Sequence, residues 1–299
     1  MPTDYQLTQA VQNLKILADD KMEGRKTGTP GHKIAAGFIS DAFSAMQLGH
    51  FSPGYFQPFT YEQGWNEKTG VNVVGLIEGS EFADDYIVIS AHYDHLGIKG
   101  RHIFNGADDN ASGVAAMLAL ANYFTVHRPH HSIIFLATDV EEAGLRGAKA
   151  FLSSSPIKAV QIRLNINIDM IGNGGKRHEL YVLTPPDVYF TPLVHQYIAA
   201  HSKATFRLKA GQPRKINRRS LLESRIDWRR ASDHAVFANV GIDYIYFGND
   251  IHKHYHQPSD TFENINVDFF KSSLVHITDL VSQLDRLNLR SRKVNSANE

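Results

Sequence analysis

The stretch Ala91-His92-Tyr93-Asp94-His95-Leu96-Gly97 follows the apolar run Tyr86–Ser90 and brings two imidazoles and a carboxylate within four positions. Imidazole nitrogen and carboxylate oxygen are ligands for a borderline metal ion, and together they can also move a proton. Side chains alternate along an extended segment, so His92 and Asp94 are expected on one side and His95 on the other. That reading makes His92 and Asp94 a pair and His95 a bystander. Alone, the pair is more often plain structure, a buried imidazole satisfied by a carboxylate.

Composition narrows the chemistry. The 299 residues, 42% of them hydrophobic, can bury a substantial core, and none is a cysteine. Disulfides and thiolate sites are excluded, so any metal must be held by imidazole and carboxylate. No stretch approaches the roughly 20 apolar residues of a membrane span. The N-terminus lacks a charged start followed by an apolar block. The expectation is a cytoplasmic chain, or a periplasmic or secreted one if it begins at a processed N-terminus.

The net charge of zero is unevenly spread. Between Arg207 and Arg230 nine Lys/Arg face only Glu223 and Asp227, a net of +7, and the remaining 275 residues carry −7. An acidic body and little aromatic interleaving argue against nucleic acid. A solvated loop, a self-association surface and a rim that attracts acidic peptides all remain open for this run.

The elements that must position the chemistry read as alternating helices and strands. Leu7, Val11, Leu14 and Leu17 recur at helical spacing. A second helix is signalled by Thr29 as N-cap and Pro30 in the first turn, with a stripe of Ile34, Phe38, Ile39, Ala42, Phe43 and Met46 and a stop at Gly49. Strands are expected at Val71–Ile77, Tyr86–Ser90, Ile133–Ala137, Leu164–Ile168, Glu179–Leu183 and Ile242–Phe247. Helices are expected near 110–125, 142–152, 188–201 and 233–239, and a long one from Val267 to Leu287 closes the fold. This order predicts an α/β three-layer sandwich around a mixed, mostly parallel sheet, in one domain spanning 1–299 with a basic excursion at about 207–230.

Working residues in such sheets gather where strands end in loops. Here the strand ends lead to His92 and Asp94, to Asp139-Val140-Glu141-Glu142, to Asp169, and to His252-Lys253-His254-Tyr255-His256, while NGADDNASG at 105–113 opens a helix between the first two. So many acidic and imidazole groups at one sheet edge would repel each other unless a cation sat among them.

HYD at 92–94, GADDNASG at 106–113, Glu141-Glu142, Asn167-Ile168-Asp169 and YHQPSD at 255–260 resemble, in order and approximate spacing, the motifs of the co-catalytic di-zinc exopeptidases. These include M28-type enzymes such as bacterial leucine aminopeptidases, glutamate carboxypeptidase II and, more distantly, the glutaminyl cyclases. The segment LADDKMEGRKTGTPGHKIAAGFI at 17–39 is similar to the family's N-terminal part. The resemblance implies two Zn2+ per chain bridged by Asp109, with His92 and Asp169 completing one site and Glu142 and His256 the other. Asp108 is the alternative bridge; Asp109 is preferred because it is the fourth residue from Gly106, where the family places it. Glu141 would then be the general base, Asp94 would fix the His92 tautomer, and Tyr255 would donate its hydroxyl to a tetrahedral oxyanion. Capping is the expected role of Ser232 or Asp233, and His252 and His254 are expected at the surface or behind the ligands.

The implied activity is an aminopeptidase acting on peptides with a free N-terminus. A cyclase-like acyltransferase is disfavoured by the tandem Glu141-Glu142, where cyclases usually carry Gly-Glu. A non-catalytic receptor-like relative is disfavoured because every ligand is present. Zinc storage is disfavoured because His127, His130 and His131 read as solvated surface.

Overall fold

A computed structural model of the chain describes residues 1–51, 53–213 and 227–289. In chain order its elements are α1 (Asp4–Leu17), α2 (Pro30–Ala45), β1 (Phe56–Gln63), β2 (Asn66–Ile77), β3 (Phe82–His92), β4 (Gly97–Lys99), β5 (His102–Phe104), α3 (Gly113–Val126), β6 (His131–Thr138), α4 (Arg146–Ser154), β7 (Ile162–Ile168), β8 (Glu179–Leu183), α5 (Thr191–His201), β9 (Arg207–Ala210), α6 (His234–Asn239), β10 (Tyr244–Gly248) and α7 (Val267–Asp285).

Eight strands form one sheet in the order β1-β2-β6-β3-β7-β10-β8-β9, and β4 and β5 make a separate small hairpin. The central strands β6, β3, β7 and β10 run parallel, while β1-β2, β2-β6 and β10-β8 pair antiparallel. Strand alternation divides the core. Ile87, Ile89 and Ala91 of β3, with Ile133 and Phe135 of β6, pack under α1, α2, α3, α5 and α7. Val88, Ile134 and Leu136 face α4 and α6 through Phe151 and Phe237. Helices therefore cover both faces, the expected three layers. Because the four central strands are parallel, their C-terminal ends open at one edge, where His92 pairs in register with Thr138 and Ser90 with Asn167.

Local signals behave as their chemistry dictates, with a few corrections. The Thr29 side chain accepts the His32 amide and caps α2. That helix stops at Gln47 rather than at Gly49. Gln47 takes φ 56°, and the Gln47 and Leu48 amides turn back to the Ser44 and Phe43 carbonyls. Ile34, placed in the apolar stripe by its spacing, is exposed. The β1–β2 hairpin extends the expected strand at Val71–Ile77 outward into a solvated antiparallel ribbon that has no continuous apolar run. Arg207–Ala210, taken as the start of a basic excursion, is the edge strand β9, parallel to β8. Arg214, Lys215, Arg218 and Arg219 lie outside the described residues. No helix among the described residues is long and apolar enough to cross a membrane.

One buried cation ties the N-terminal segment to the sheet edge. Arg25 is fully buried and donates to the carbonyls of Tyr93 (2.8 Å), Leu17 (2.7 Å), Asn105 (2.5 Å) and Gly106 (2.9 Å). Burial lowers its pKa to about 10, against the pull of Asp109 and Asp260, so it stays charged at neutral pH. Lysine keeps the charge but lacks the planar fork. Arg25→Lys should therefore leave at least one of these carbonyls without a donor and cost about 1–3 kcal/mol. Chemical denaturation checks this, and a loss under 1 kcal/mol would show that the four bonds do not hold the segment.

Candidate metal centre

Each group at the sheet edge is delivered by the end of a parallel strand or by the loop after it. His92 is the last residue of β3, and Glu141 and Glu142 follow β6. Asp169 follows β7 with its amide on the Phe247 carbonyl, and Tyr255 and His256 lie in the loop after β10. Val140, Met170 and His256 all adopt left-handed backbone (φ 57°, 61° and 53°). Such conformations are costly away from glycine and persist where surrounding bonds over-determine them.

Those bonds come from residues around the donors. The Asp139 carboxylate accepts the Thr27 hydroxyl and the Val71 and Val140 amides, with His32 Nε2 at 3.0 Å. Asn110 accepts the Gly113 and Met170 amides and donates to the Ile168 carbonyl. It is therefore Asn110 that caps α3, which frees Asp109 to face the site. The Asp108 and Asp109 amides both donate to Asp260. Burial beside Asp108 and Asp109 raises Asp260 to about 7.

Asp109 directs one oxygen to each side. Its Oδ1 lies 3.3 Å from His92 Nε2 and its Oδ2 3.1 Å from His256 Nε2. His92 Nε2 is also 3.4 Å from Asp169 Oδ1, and His256 Nε2 is 3.4 Å from Glu142 Oε1. Zinc holds nitrogen and oxygen at 2.0–2.2 Å in a tetrahedron, whose edge is then about 3.3–3.5 Å. The contacts between the expected ligand atoms fall at or near that edge length. Glu142 Oε1 and Asp169 Oδ1 are moreover buried without a hydrogen-bond partner. The donor set fits two cations.

Asp108, the alternative bridge, is occupied elsewhere. Its carboxylate accepts from the Ser112 hydroxyl (3.2 Å), the Gly172 amide (2.6 Å) and Asn249 Nδ2 (2.7 Å), with His252 Nε2 at 2.8 Å. His254 lies beside Ser259, away from the cluster.

Asp94 does less for His92 than strand alternation suggests. His92 Nδ1 is 3.1 Å from the Asp94 carbonyl but 3.8 Å from its carboxylate, which instead accepts the Glu141 amide at 3.0 Å. β3 ends at His92, so the period of two stops there. The same reason brings His95 into the site rather than away from it, with Nδ1 2.8 Å from Glu142 Oε1. Tyr255 lines the pocket and stacks on His256, with ring centroids 3.9 Å apart.

Ser232 and Asp233 do not cap α6 with their side chains. The Ser232 hydroxyl accepts from Asn167 Nδ2, and Thr138 donates to Asp233. The site pocket, open to solvent, is lined by Met170, Trp228, Ala231, Tyr246 and Ile251 as well as by the carboxylates. His131, read as surface, is buried at the start of β6 against Asp285.

Charge follows the geometry. Burial pushes Asp109 up, but His95, His256 and His92 outweigh it and hold it well below the carboxylate range. Burial and Asp109 likewise raise Glu142, and His256 and His95 reverse this to about 2. For Glu141, burial outweighs the opposing charge of His92 and raises it well above its ordinary value.

The sequence model of the family described as Peptidase family M28 matches residues 72–284. The chain belongs to that family. Among curated relatives, Aminopeptidase YwaD of Bacillus subtilis is 28% identical over 229 residues, 73% of this chain and 44% of its own length. A probable zinc metalloprotease of Pyrenophora tritici-repentis is 38% identical over 104 residues, 34% of this chain and 24% of its own. The chain thus spans about a quarter to a half of these relatives. Two solved structures share the fold. BSAP, a zinc aminopeptidase from Bacillus subtilis, superposes with TM-score 0.74 at 16% identity, over 93% of this chain and 95% of its own. The Porphyromonas gingivalis glutaminyl cyclase superposes with TM-score 0.69 at 17% identity, over 93% and 98%.

Two outcomes are expected. Asp109→Ala should reduce bound metal from two equivalents to at most one, whereas Asp108→Asn should keep both and cost about 2–4 kcal/mol of stability through its orphaned donors. Metal analysis with denaturant unfolding checks this, and the reverse pattern would make Asp108 the bridge. The second concerns His234, whose Nε2 lies 2.9 Å from the carbonyl of the pocket residue Trp228. Burial lowers its pKa to about 4, against the Trp228 carbonyl and Asp227. A group depressed in the fold stabilises fully above its unfolded value and loses that as pH falls, here from about 6.5 towards 4, by up to about 3 kcal/mol. His234→Gln should flatten the stability profile in this window, and an unchanged slope would contradict the assignment.

Proposed function

We propose that this chain is a zinc-dependent aminopeptidase that removes the N-terminal residue of peptides. His92, Asp109 and Asp169 would hold one ion, and Asp109, Glu142 and His256 a second. The observation that carries this reading is the division of labour between adjacent glutamates. Glu142 groups with Asp109, His95 and His256, while Glu141 groups with His92 and Asp169. With Asp109 as the bridge, its Oδ1 3.3 Å from His92 Nε2, that side would have three donors without Glu141, whose carboxylate would then be left to exchange protons.

When bound, the two ions supply a water of lowered pKa and polarise the scissile carbonyl. Glu141 takes a proton from water on its carboxylate and delivers it to the leaving amine nitrogen. Burial suits it to that task by raising its proton affinity. The Asp94 carboxylate accepts the Glu141 amide, and the Asp94 carbonyl accepts a hydrogen bond from His92 Nδ1–H, which leaves Nε2 facing Asp109 and Asp169. The Tyr255 hydroxyl donates to the oxyanion, its ring steadied by His256. Trp228, Met170, Tyr246 and Ile251 take the apolar part of the N-terminal residue. The carboxylates of the same pocket attract its ammonium group.

The glutaminyl cyclase fold is shared, so fold alone does not choose between hydrolysis and cyclisation. The proton-accepting Glu141 beside Glu142 favours hydrolysis. A panel of aminoacyl-4-nitroanilides and dipeptides, free or N-acetylated, with and without chelator, tests this. Only free N-termini should be cleaved, zinc should restore activity after chelation, and N-terminal glutaminyl peptides should be hydrolysed rather than cyclised. Glu141→Gln should lower kcat by roughly 10²–10⁴-fold with both metal equivalents retained. Less than a tenfold loss would remove Glu141 from the proton transfer, and cleavage of acetylated substrates would remove the aminopeptidase assignment.

A further inference from the structure

His95 has no place in the ligand set just described, yet it lies among those ligands. It is 2% exposed, and neither ring nitrogen has a hydrogen-bond partner. Burying an imidazole that makes no aligned hydrogen bond is costly, and the groups its Nδ1 meets are carboxylates of the proposed ligand set. Its Nδ1 lies 2.8 Å from Glu142 Oε1 and 3.8 Å from Asp109 Oδ2. Ligand atoms of His95, Asp109, Glu142 and His256 all fall within 4.8 Å of one another. The 2.8 Å approach is not aligned as a hydrogen bond, since both of its atoms stand without a partner. Two close donors that do not point at each other are related as ligands of one ion are.

The backbone keeps the ring in this position. Gly106 sits at φ +56°, and a Cβ there would come within 2.5 and 2.6 Å of the His95 Cδ2 and Cγ atoms. Arg25 clamps both sides of the contact. Its guanidinium binds the Tyr93 and Gly106 carbonyls, and its own carbonyl accepts the His95 amide at 3.4 Å. A bystander would not need its turn pinned to the loop that delivers Asp109.

We propose that His95 Nδ1 is a fourth protein ligand of the ion held by Asp109, Glu142 and His256, so that the two metal positions are unequal. This rests on the two-ion reading above. One position then has four protein donors, the closed arrangement of a structural zinc site, and the other has three, the open arrangement of a catalytic one. The first equivalent of metal should load tightly into the four-donor position. The second should be the weaker and exchangeable ion, next to Glu141.

X-ray absorption on the full, metal-stripped chain loaded with one equivalent of zinc tests this without any substitution. Two imidazole nitrogens per ion are expected, and one overturns the proposal. Cobalt titration of His95→Ala and His95→Asn supplies the second readout, with far-UV circular dichroism to verify the fold. Wild type should bind in two resolved steps. Both variants should lose at least tenfold in affinity for the first equivalent, so that the steps merge. Unchanged binding in both variants would make His95 packing. Loss in the alanine variant alone would make it a hydrogen-bonding support for Glu142. Either result overturns ligation. Two ions with one imidazole each would fail this proposal and leave the aminopeptidase reading intact, whereas a chain that binds no zinc fails both.

Discussion

Everything at the working edge answers to one electrostatic constraint, the placing of many carboxylates in a small, largely buried volume. Asp94, Asp108, Asp109, Asp139, Asp169, Asp233 and Asp260 are buried, and Glu141 and Glu142 half-buried, around the ends of four parallel strands. Like charges at such spacing cannot all stay ionised without compensation. The fold supplies two kinds. Asp108, Asp139 and Asp260 accept peptide amides and side-chain donors, and Asp233 takes the Thr138 hydroxyl. Asp109 and Glu142 face histidines alone and are driven far below their ordinary values by them. The first kind is architecture, and the second is where external cations can replace protons.

Arg25 shows how the constraint reaches back into the chain. It is a permanent cation in the region, yet its guanidinium bonds go to carbonyls rather than to carboxylates. It acts on the acidic groups through space and on the loops through direct bonds. The arrangement adds positive potential without closing off a ligand oxygen. A direct ion pair with Asp109 would have neutralised the group that the cluster most needs exposed to a metal.

How much of this was legible in the sequence depended on the range of the interactions involved. Long apolar elements and N-caps are local, so β6, β7, β8, α7 and the Thr29 cap were readable from spacing alone. The convergence of acidic and imidazole segments was also readable, because parallel strands open at one edge, while the choice of His92, Asp109, Glu142, Asp169 and His256 among them came from the family resemblance. His95 was not, because the period of two was carried past His92, where the strand stops. Nor were Arg25 and Asp260, most of whose partners lie 68 to 152 residues away. The polar ribbon β1–β2 offered no apolar run to detect. His131 looked like a loop residue and is a buried partner of Asp285, 154 positions on.

The same physics separates what the site does from what it selects. Of the proposed ligands, His92, Glu142 and Asp169 lie at strand ends or within four residues of them, where register and carboxylate compensation leave little freedom, and Asp109 is fixed by the Asp260 bond to its amide. The pocket wall beside them comes from Trp228, Ala231 and Ile251 in connecting segments, with only Tyr246 inside a strand. Loops tolerate change that strand ends do not. Trp228 is tied down by the carbonyl contact to His234 and by packing on Tyr246, whose ring lies 6.2 Å away. Exchange of the 228–231 segment would therefore alter which side chain fits while leaving the carboxylate cluster untouched. The zinc aminopeptidase and the glutaminyl cyclase share this fold, so the fold alone leaves the reaction open and the side chains placed on it decide.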